Sequence, residues 1–436
     1  MTIHVIGGGL AGTEATWQLI SRGIPVTLHE MRPGKESPAH KTEFFGELVC
    51  SNSLRANNIE NAVGLLKEEM RKLNSLIITT ADAHQVPAGG ALAVDREGFA
   101  QSLTQKLREH PLVTIVEEEI INLTFPEEDY VIVATGPLTS EGLIQPIANL
   151  VQQDYFYFFD AAAPIVTKES LDLDIVYKAS RYDKGEAAYY NCPMNEAEYK
   201  LFWEELCHGE CAPMKDFEKA GVFEGCMPIE EMAKRGEDTM RFGPLKPVGL
   251  PDPRTGKDPY AVVQLRQDNA TASLYNIVGF QTHLKWPEQK RVFSLIPGLA
   301  QAEFVRYGVM HKNSYINSPL LLTPYYNLRK HPHIFFAGQI TGVEGYVESA
   351  ASGLAVGMYL SALLQGKTLE AFPLETAIGS LGAYVSNEAV KNFQPMNINF
   401  GLMPPYKEGK RLKKREKNAK IAERSLKALE NYINNL

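Results

Sequence analysis

Residues 3–30 read IHVIGGGLAGTEATWQLISRGIPVTLHE, and this stretch decides the fold. Residues 2–8 spell a short buried strand, and residues 10–22 a helix closed by Gly23 just past its end. Residues 24–30 spell a second strand, which completes the mononucleotide-binding opening of a doubly wound α/β fold. The turn is Gly7-x-Gly9-x-x-Gly12, with Gly8, Leu10 and Ala11 between the three glycines. Gly7 permits the tight turn, Gly9 lets a pyrophosphate approach the backbone, and Gly12 lets helix and strand pack closely. The helix N-terminus then faces the phosphates. Glu30, at the end of the second strand, is placed to accept hydrogen bonds from an adenosine ribose. A glycine pattern alone is only a glycine-rich turn; strand, helix and acidic residue in these places predict a dinucleotide site.

Two later segments favour FAD over NAD. Residues 130–137, YVIVATGP, resemble the strand-to-turn segment of flavin-dependent oxidoreductases. Residues 335–349, FFAGQITGVEGYVES, resemble their closing motif, which puts Gly338 and Gln339 beside the cofactor. No second full Gly-x-Gly-x-x-Gly occurs, so NAD(P)H is expected as a transient reductant. Between these segments the texture changes to aromatics, prolines and short strands. The expected architecture is a Rossmann-like FAD-binding domain in two segments, 1–154 and 329–436, with an inserted α+β domain at 155–328.

At 436 residues the chain exceeds the usual size of one core. A net charge of −8 argues against a surface that is basic all over, though a local basic patch suffices for nucleic acid. Five cysteines at irregular spacing, and a start that runs straight into glycines, fit a reducing, cytoplasmic setting. The uncharged stretch 349–366 has the length of a membrane span, yet its serines and glycines suit a buried, tightly packed helix; no membrane association is expected. Cys207 and Cys211 beside His208 lack a second ligand pair, so no metal is expected.

Two cysteines stand apart. Cys50 lies in GELVCSNSLRA, a polar loop after the second strand, on the side where such folds bind cofactors. Cys226 lies in GCMPIEEMA, just before a helix start with Pro228 at the first helical position, which favours a thiolate. These segments, with VIGGGLAGTEA, RFGPLKPVGL and AGQITGVEGYVESAASGL, resemble the bacterial folate- and FAD-dependent tRNA (uracil-5-)-methyltransferases over essentially the whole length. The resemblance implies that 5,10-methylenetetrahydrofolate supplies a carbon, reduced FAD supplies reducing power, and a T-loop uridine of tRNA becomes 5-methyluridine. It assigns Cys226 as the nucleophile at uracil C6 and Cys50 as a second functional thiol close to the flavin. A thiol is needed because uracil C5 becomes nucleophilic only after addition at C6. The related wobble-uridine flavoproteins share the FAD segments but lack this thiol pair. A flavin oxidoreductase of a small metabolite and a non-catalytic RNA-binding flavoprotein are the other readings.

Residues 407–420, KEGKRLKKREKNAK, hold eight basic and two acidic residues and are expected to meet tRNA phosphates. Arg241, Lys246, Arg254, Lys257 and Arg266 form a looser basic set, with Tyr260 available to stack on a base. By resemblance, His283 is a pterin or flavin neighbour. No obligate protein partner is inferred.

Overall fold

The computed structural model describes residues 1–37, 39–152, 156–161, 163–183, 186–212, 227–308, 310–367, 370–390, 393–406 and 412–435. Five parallel strands form the first sheet, in the order Ile334–Phe336, Tyr130–Val133, Ile3–Ile6, Val26–His29, Val113–Val116. The chain builds outward from Ile3–Ile6 first to one side and then to the other. That reversal opens a crevice at the carboxyl ends of the central strands, where open α/β sheets bind ligands.

Two helices set how closely this domain packs. Leu10–Ile20 follows the glycine turn, and Tyr346–Leu364 crosses directly against it. A Cβ on Gly353 would stand 2.1 Å from the Ala11 carbonyl oxygen, and one on Gly357 would stand 2.8 Å from that of Ala15. The small-residue stripe is therefore a backbone-to-backbone crossing. The Tyr346–Leu364 helix has membrane-span length and hydropathy, but 89% of that window is buried inside the fold.

A second core belongs to a six-stranded antiparallel sheet in the order Tyr177–Ala179, Tyr189–Met194, Ala261–Gln267, Leu274–Ile277, Ile165–Thr167, Phe304–Arg306. Helices Glu196–His208, Ile229–Lys234 and Trp286–Phe293 accompany it. The chain enters and leaves this region through an antiparallel ribbon, Phe156–Ala161 paired with Met310–Tyr315. Ile316, Leu322, Tyr326 and Leu328 already pack in the core of the parallel-sheet domain.

The charged C-terminus is a helix, Lys414–Asn434, that buries one face. Ile421, Ala422, Leu429 and Tyr432 join the first core, and Ser425 Oγ donates to the buried Glu69 carboxylate. The charges occupy the opposite side. Removing this helix would open the core as well as remove cations.

Candidate functional site

The crevice is a cleft of about 1020 Å³ lined by the carboxyl ends of the parallel strands. Ile6, Gly7, Gly9, Leu10 and Ala11 form its floor, Glu30 and Arg32 one end, and Gly338, Gln339 and Tyr346 the facing wall.

Each glycine does a different job. Gly7 has φ +106°, a left-handed conformation that L side chains rarely adopt. Gly12 faces the turn so closely that a Cβ would lie 1.9 Å from the Gly7 carbonyl oxygen. Gly9 is the N-cap of the helix, with extended backbone, and a Cβ there meets nothing within 4 Å. It borders the open space of the cleft, where the helix N-terminus offers its unpaired N–H groups. A pyrophosphate fits this cradle. On the far wall Gly338 also has a left-handed φ of +84° and donates its N–H to Ser352 Oγ at 2.7 Å. Gln339 is held by Glu344, with Nε2 donating to Oε2 at 2.7 Å.

Glu30 is buried, and its two oxygens are already engaged. Oε1 accepts from the Arg32 backbone N–H (3.1 Å) and Nε (2.9 Å), and Oε2 from the Gly8 N–H (2.8 Å) and Arg32 Nη2 (3.1 Å). Burial works to raise its pKa, but the hydrogen bonds and charge of Arg32 outweigh that and hold it low. A carboxylate has about four lone-pair positions, so a ribose hydroxyl must displace or share one of these contacts to reach it. Arg32 thus belongs to the site, a residue the motif did not reveal. His40 lines the same end; burial and the neighbouring Arg32 bring it down to about 4, so its imidazole is neutral at pH 7.

Cys50 follows Val49, which lines the cleft, and is not itself among the lining residues. The backbone N–H groups of Cys50 and Ser51 both donate to Tyr346 Oη, at 2.6 and 3.1 Å. Burial pushes the Tyr346 phenol well up, so it stays protonated. Arg96 Nη1 donates to the Leu48 carbonyl and Arg306 Nη2 to that of Val49, and both guanidiniums interact electrostatically with Cys50. Cations next to a thiol favour its thiolate. Sequence gave no sign of them, because they come from remote parts of the chain.

Cys226 and residues 407–411 lie outside the described residues. The helix after Cys226 is Ile229–Lys234, with Pro228 as its N-cap rather than its first helical residue. It has six residues and carries Glu230 and Glu231 in its first turn, which offsets the positive end of so short a helix. His283 does not line the cleft; it is buried beside Glu230 in the inserted region. The looser basic set is largely committed within the protein. Arg241 lies 3.6 Å over the Tyr260 ring, Arg254 pairs with Asp252 at 2.7 Å, and Arg266 is buried against Ser51 and Asn52.

This fold and this cleft define a flavoprotein of the dinucleotide-binding α/β class. A family model described as Glucose inhibited division protein A matches residues 2–368. A methylenetetrahydrofolate–tRNA-(uracil-5-)-methyltransferase TrmFO from Heliobacterium modesticaldum is 61% identical over 433 residues, which is 99% of this chain and 98% of that protein. The protein of the same name from Listeria monocytogenes is 60% identical over 435 residues, 100% of this chain and 99% of its own. Among solved structures, Aquifex aeolicus GidA in its form I crystal matches with a TM-score of 0.71 at 16% identity, over 99% of this chain and 76% of that one, a likeness of fold. The chain belongs to the Glucose inhibited division protein A family and, within it, to the methylenetetrahydrofolate–tRNA-(uracil-5-)-methyltransferases.

Proposed function

We propose that this chain converts uridine in the T-loop of tRNA to 5-methyluridine in the cytoplasm, taking the carbon from 5,10-methylenetetrahydrofolate and using FAD. The observation that carries the reading is the Cys50 loop, fixed to the cleft wall by Tyr346 and flanked by Arg96 and Arg306. A thiol beside that wall, in a chain of this family, suits uracil chemistry better than oxidation of a small metabolite. When bound, FAD supplies the reducing equivalents that turn a one-carbon unit into a methyl group; NAD(P)H restores them as a transient reductant.

The chain's own residues do the rest. Gly7, Gly9 and the start of the Leu10–Ile20 helix hold the pyrophosphate, and Glu30 with Arg32 holds the adenosine end. The Cys226 thiolate adds to uracil C6 and makes C5 nucleophilic; after the new C5 bond forms, a base removes the C5 proton and the thiolate leaves. Cys50, beside the flavin wall and next to two cations, accepts that proton as a thiolate. The uridine is flipped from the tRNA elbow to reach both.

The test is a trapping experiment with tRNA bearing 5-fluorouridine, which has no C5 proton to lose. A complex that survives denaturation should form with the wild-type protein and with Cys50→Ala, and vanish in Cys226→Ala. Cys50→Ala should not turn over normal tRNA. An adduct that depends on Cys50 and not Cys226 reverses the two roles, and an adduct indifferent to both overturns the thiol mechanism.

A further inference from the structure

Away from the cleft, the inserted region brings together three side chains from separate stretches of sequence. Cys211 Sγ, a Glu230 carboxylate oxygen and a His283 ring nitrogen all lie within 4.8 Å of one another. Backbone pairing holds them there. Cys211 bridges to Leu284, the Ala212 N–H donates to the His283 carbonyl at 2.9 Å, and the Ile229 N–H donates to the Gln281 carbonyl at 2.7 Å.

Glu230 is fully buried and His283 is 5% exposed. His283 Nδ1 sits 2.5 Å from Glu230 Oε1, a close ion-pair contact whose angles fall outside strict hydrogen-bond limits. A shared proton bridges them, and a metal ion that binds here takes the place of that proton. The surroundings are those of ligands to a cation. Glu230 Oε2 accepts from Thr282 Oγ1 at 2.8 Å, and Oε1 from the His283 backbone N–H at 2.8 Å, so the carboxylate is oriented. His283 Nε2 faces the Glu231 carboxylate at 4.0 Å, an ion-pair distance.

We propose that Cys211, Glu230 and His283 bind one divalent cation of borderline softness, zinc by preference. Thiolate, imidazole and carboxylate are the donor set of zinc, and three protein ligands leave a fourth position for water. The ion neutralises the buried Glu230 carboxylate together with the half-buried Cys211 thiolate. It also has a mechanical consequence. Cys211 and Glu230 stand 19 residues apart in sequence, so the ion ties together two distant points of the chain. Cys207 and His208, adjacent in sequence, take no part. The proposal stands whether or not Cys226 is the nucleophile.

The experiment uses the untagged, FAD-loaded full chain, stripped with a chelator and then given zinc(II) or cobalt(II) alone. One zinc per chain should survive gel filtration. Cobalt should give the visible bands of a tetrahedral site, to the red of flavin absorption, with a thiolate charge-transfer band. Cys211→Ala and His283→Ala should each lose the ion while keeping FAD and circular dichroism, whereas Cys207→Ala keeps it. If either alanine variant fails to fold, Cys211→Ser and Glu230→Gln, which preserve shape, should still lower the zinc content. A wild-type chain that retains no ion overturns the proposal, as does an ion indifferent to Cys211 and His283. Rapid, His283-dependent alkylation of Cys211 in a chain that binds no metal would make the cluster a thiol–imidazole pair instead.

Discussion

Gly9→Val and Gly12→Ala, a pair of substitutions three residues apart, should separate cofactor binding from folding. At Gly9 the backbone is extended, with φ −73°, and a Cβ would meet no protein atom within 4 Å. The folded chain without cofactor should therefore tolerate valine, losing only the few tenths to about 1 kcal/mol that a poor N-cap costs. The space the side chain enters is the cleft. Blocking it should remove at least one charge-assisted hydrogen bond to phosphate, about 1.5–3 kcal/mol, and part of the helix-end attraction, about 0.3–1 kcal/mol. A loss near 3 kcal/mol is about a hundredfold in affinity. Gly12→Ala is the reverse case. Its methyl would lie 1.9 Å from the Gly7 carbonyl oxygen and 3.3 Å from the Ala134 Cβ, so strand turn and helix must part. That overpacking costs about 1–3 kcal/mol or more and outweighs the better helix propensity of alanine, about 1 kcal/mol. FAD per chain by absorbance, FAD affinity by fluorescence, and the melting temperature of the stripped protein would be compared. Gly9→Val should be colourless and stable, and Gly12→Ala should melt early. A Gly9→Val protein that keeps wild-type affinity, or that melts as early as Gly12→Ala, would refute the placement of the pyrophosphate.

Lys413→Gln, Lys414→Gln and Lys417→Gln, combined on the exposed side of the C-terminal helix, should weaken tRNA binding and flatten its salt dependence by about 0.7–0.9 per lost phosphate contact, with FAD content unchanged; an unchanged slope in a binding titration would return these cations to solvent. Truncation before Lys407 is expected to lower the melting temperature as well, because Ile421 and Leu429 leave the core. Glu69 is pushed by burial up to about 7, against an ordinary carboxyl value of 4.5, although Ser425 and the Ala377 and Ile378 N–H groups donate to it. A raised folded-state pKa stabilises most at low pH: its contribution is complete below about pH 4.5 and is lost as pH rises through 7, up to about 3 kcal/mol. Glu69→Gln should remove that slope from the melting temperature measured between these limits, and an equally steep variant would exclude Glu69 as its source.

The opening βαβ unit was legible because every part of it is local. The strand runs, the Gly7–Gly12 turn and Glu30 fall within one stretch, and the structure sets Gly7, Gly9 and Glu30 around one cleft. Tyr130–Val133 and Ile334–Phe336 were legible as short apolar runs, and they flank the first strand as such runs should. What could not be read is what distant segments do to one another. Arg96 and Arg306 reach the Cys50 loop across sequence separations of 48 and 257 residues, and no periodicity links them. The C-terminal helix did carry a signal: Ile421, Ala422, Ser425, Leu429 and Tyr432 recur at helical spacing, but a dense run of charges obscured it. Tyr260 and Arg241 were read as surfaces for RNA, whereas in the fold they stack on each other. Cys211, Glu230 and His283 illustrate the same limit, since spacing rules find ligands only when they lie close along the chain.

The ribbon that joins the two regions has an evolutionary consequence. Phe156 pairs with Tyr315 and Ala161 with Met310, so the outgoing and returning chains run side by side. Opposed residues in antiparallel strands lie about 4.5–5.5 Å apart, a gap that a hairpin of a few residues can span. Read as an insertion, the region between these strands is a cassette whose two chain ends meet at one ribbon, so that it could be swapped or lengthened without disturbing the order of the parallel sheet. The ribbon is not the whole attachment. Asn52 donates to the carbonyls of Val94 and Gln267, and Arg96 pairs with Asp268 at 2.9 Å across the same junction. Any cassette carried there has to bring its own counterparts to Gln267 and Asp268, which is a stricter condition on descent than fitting the two ends of the chain.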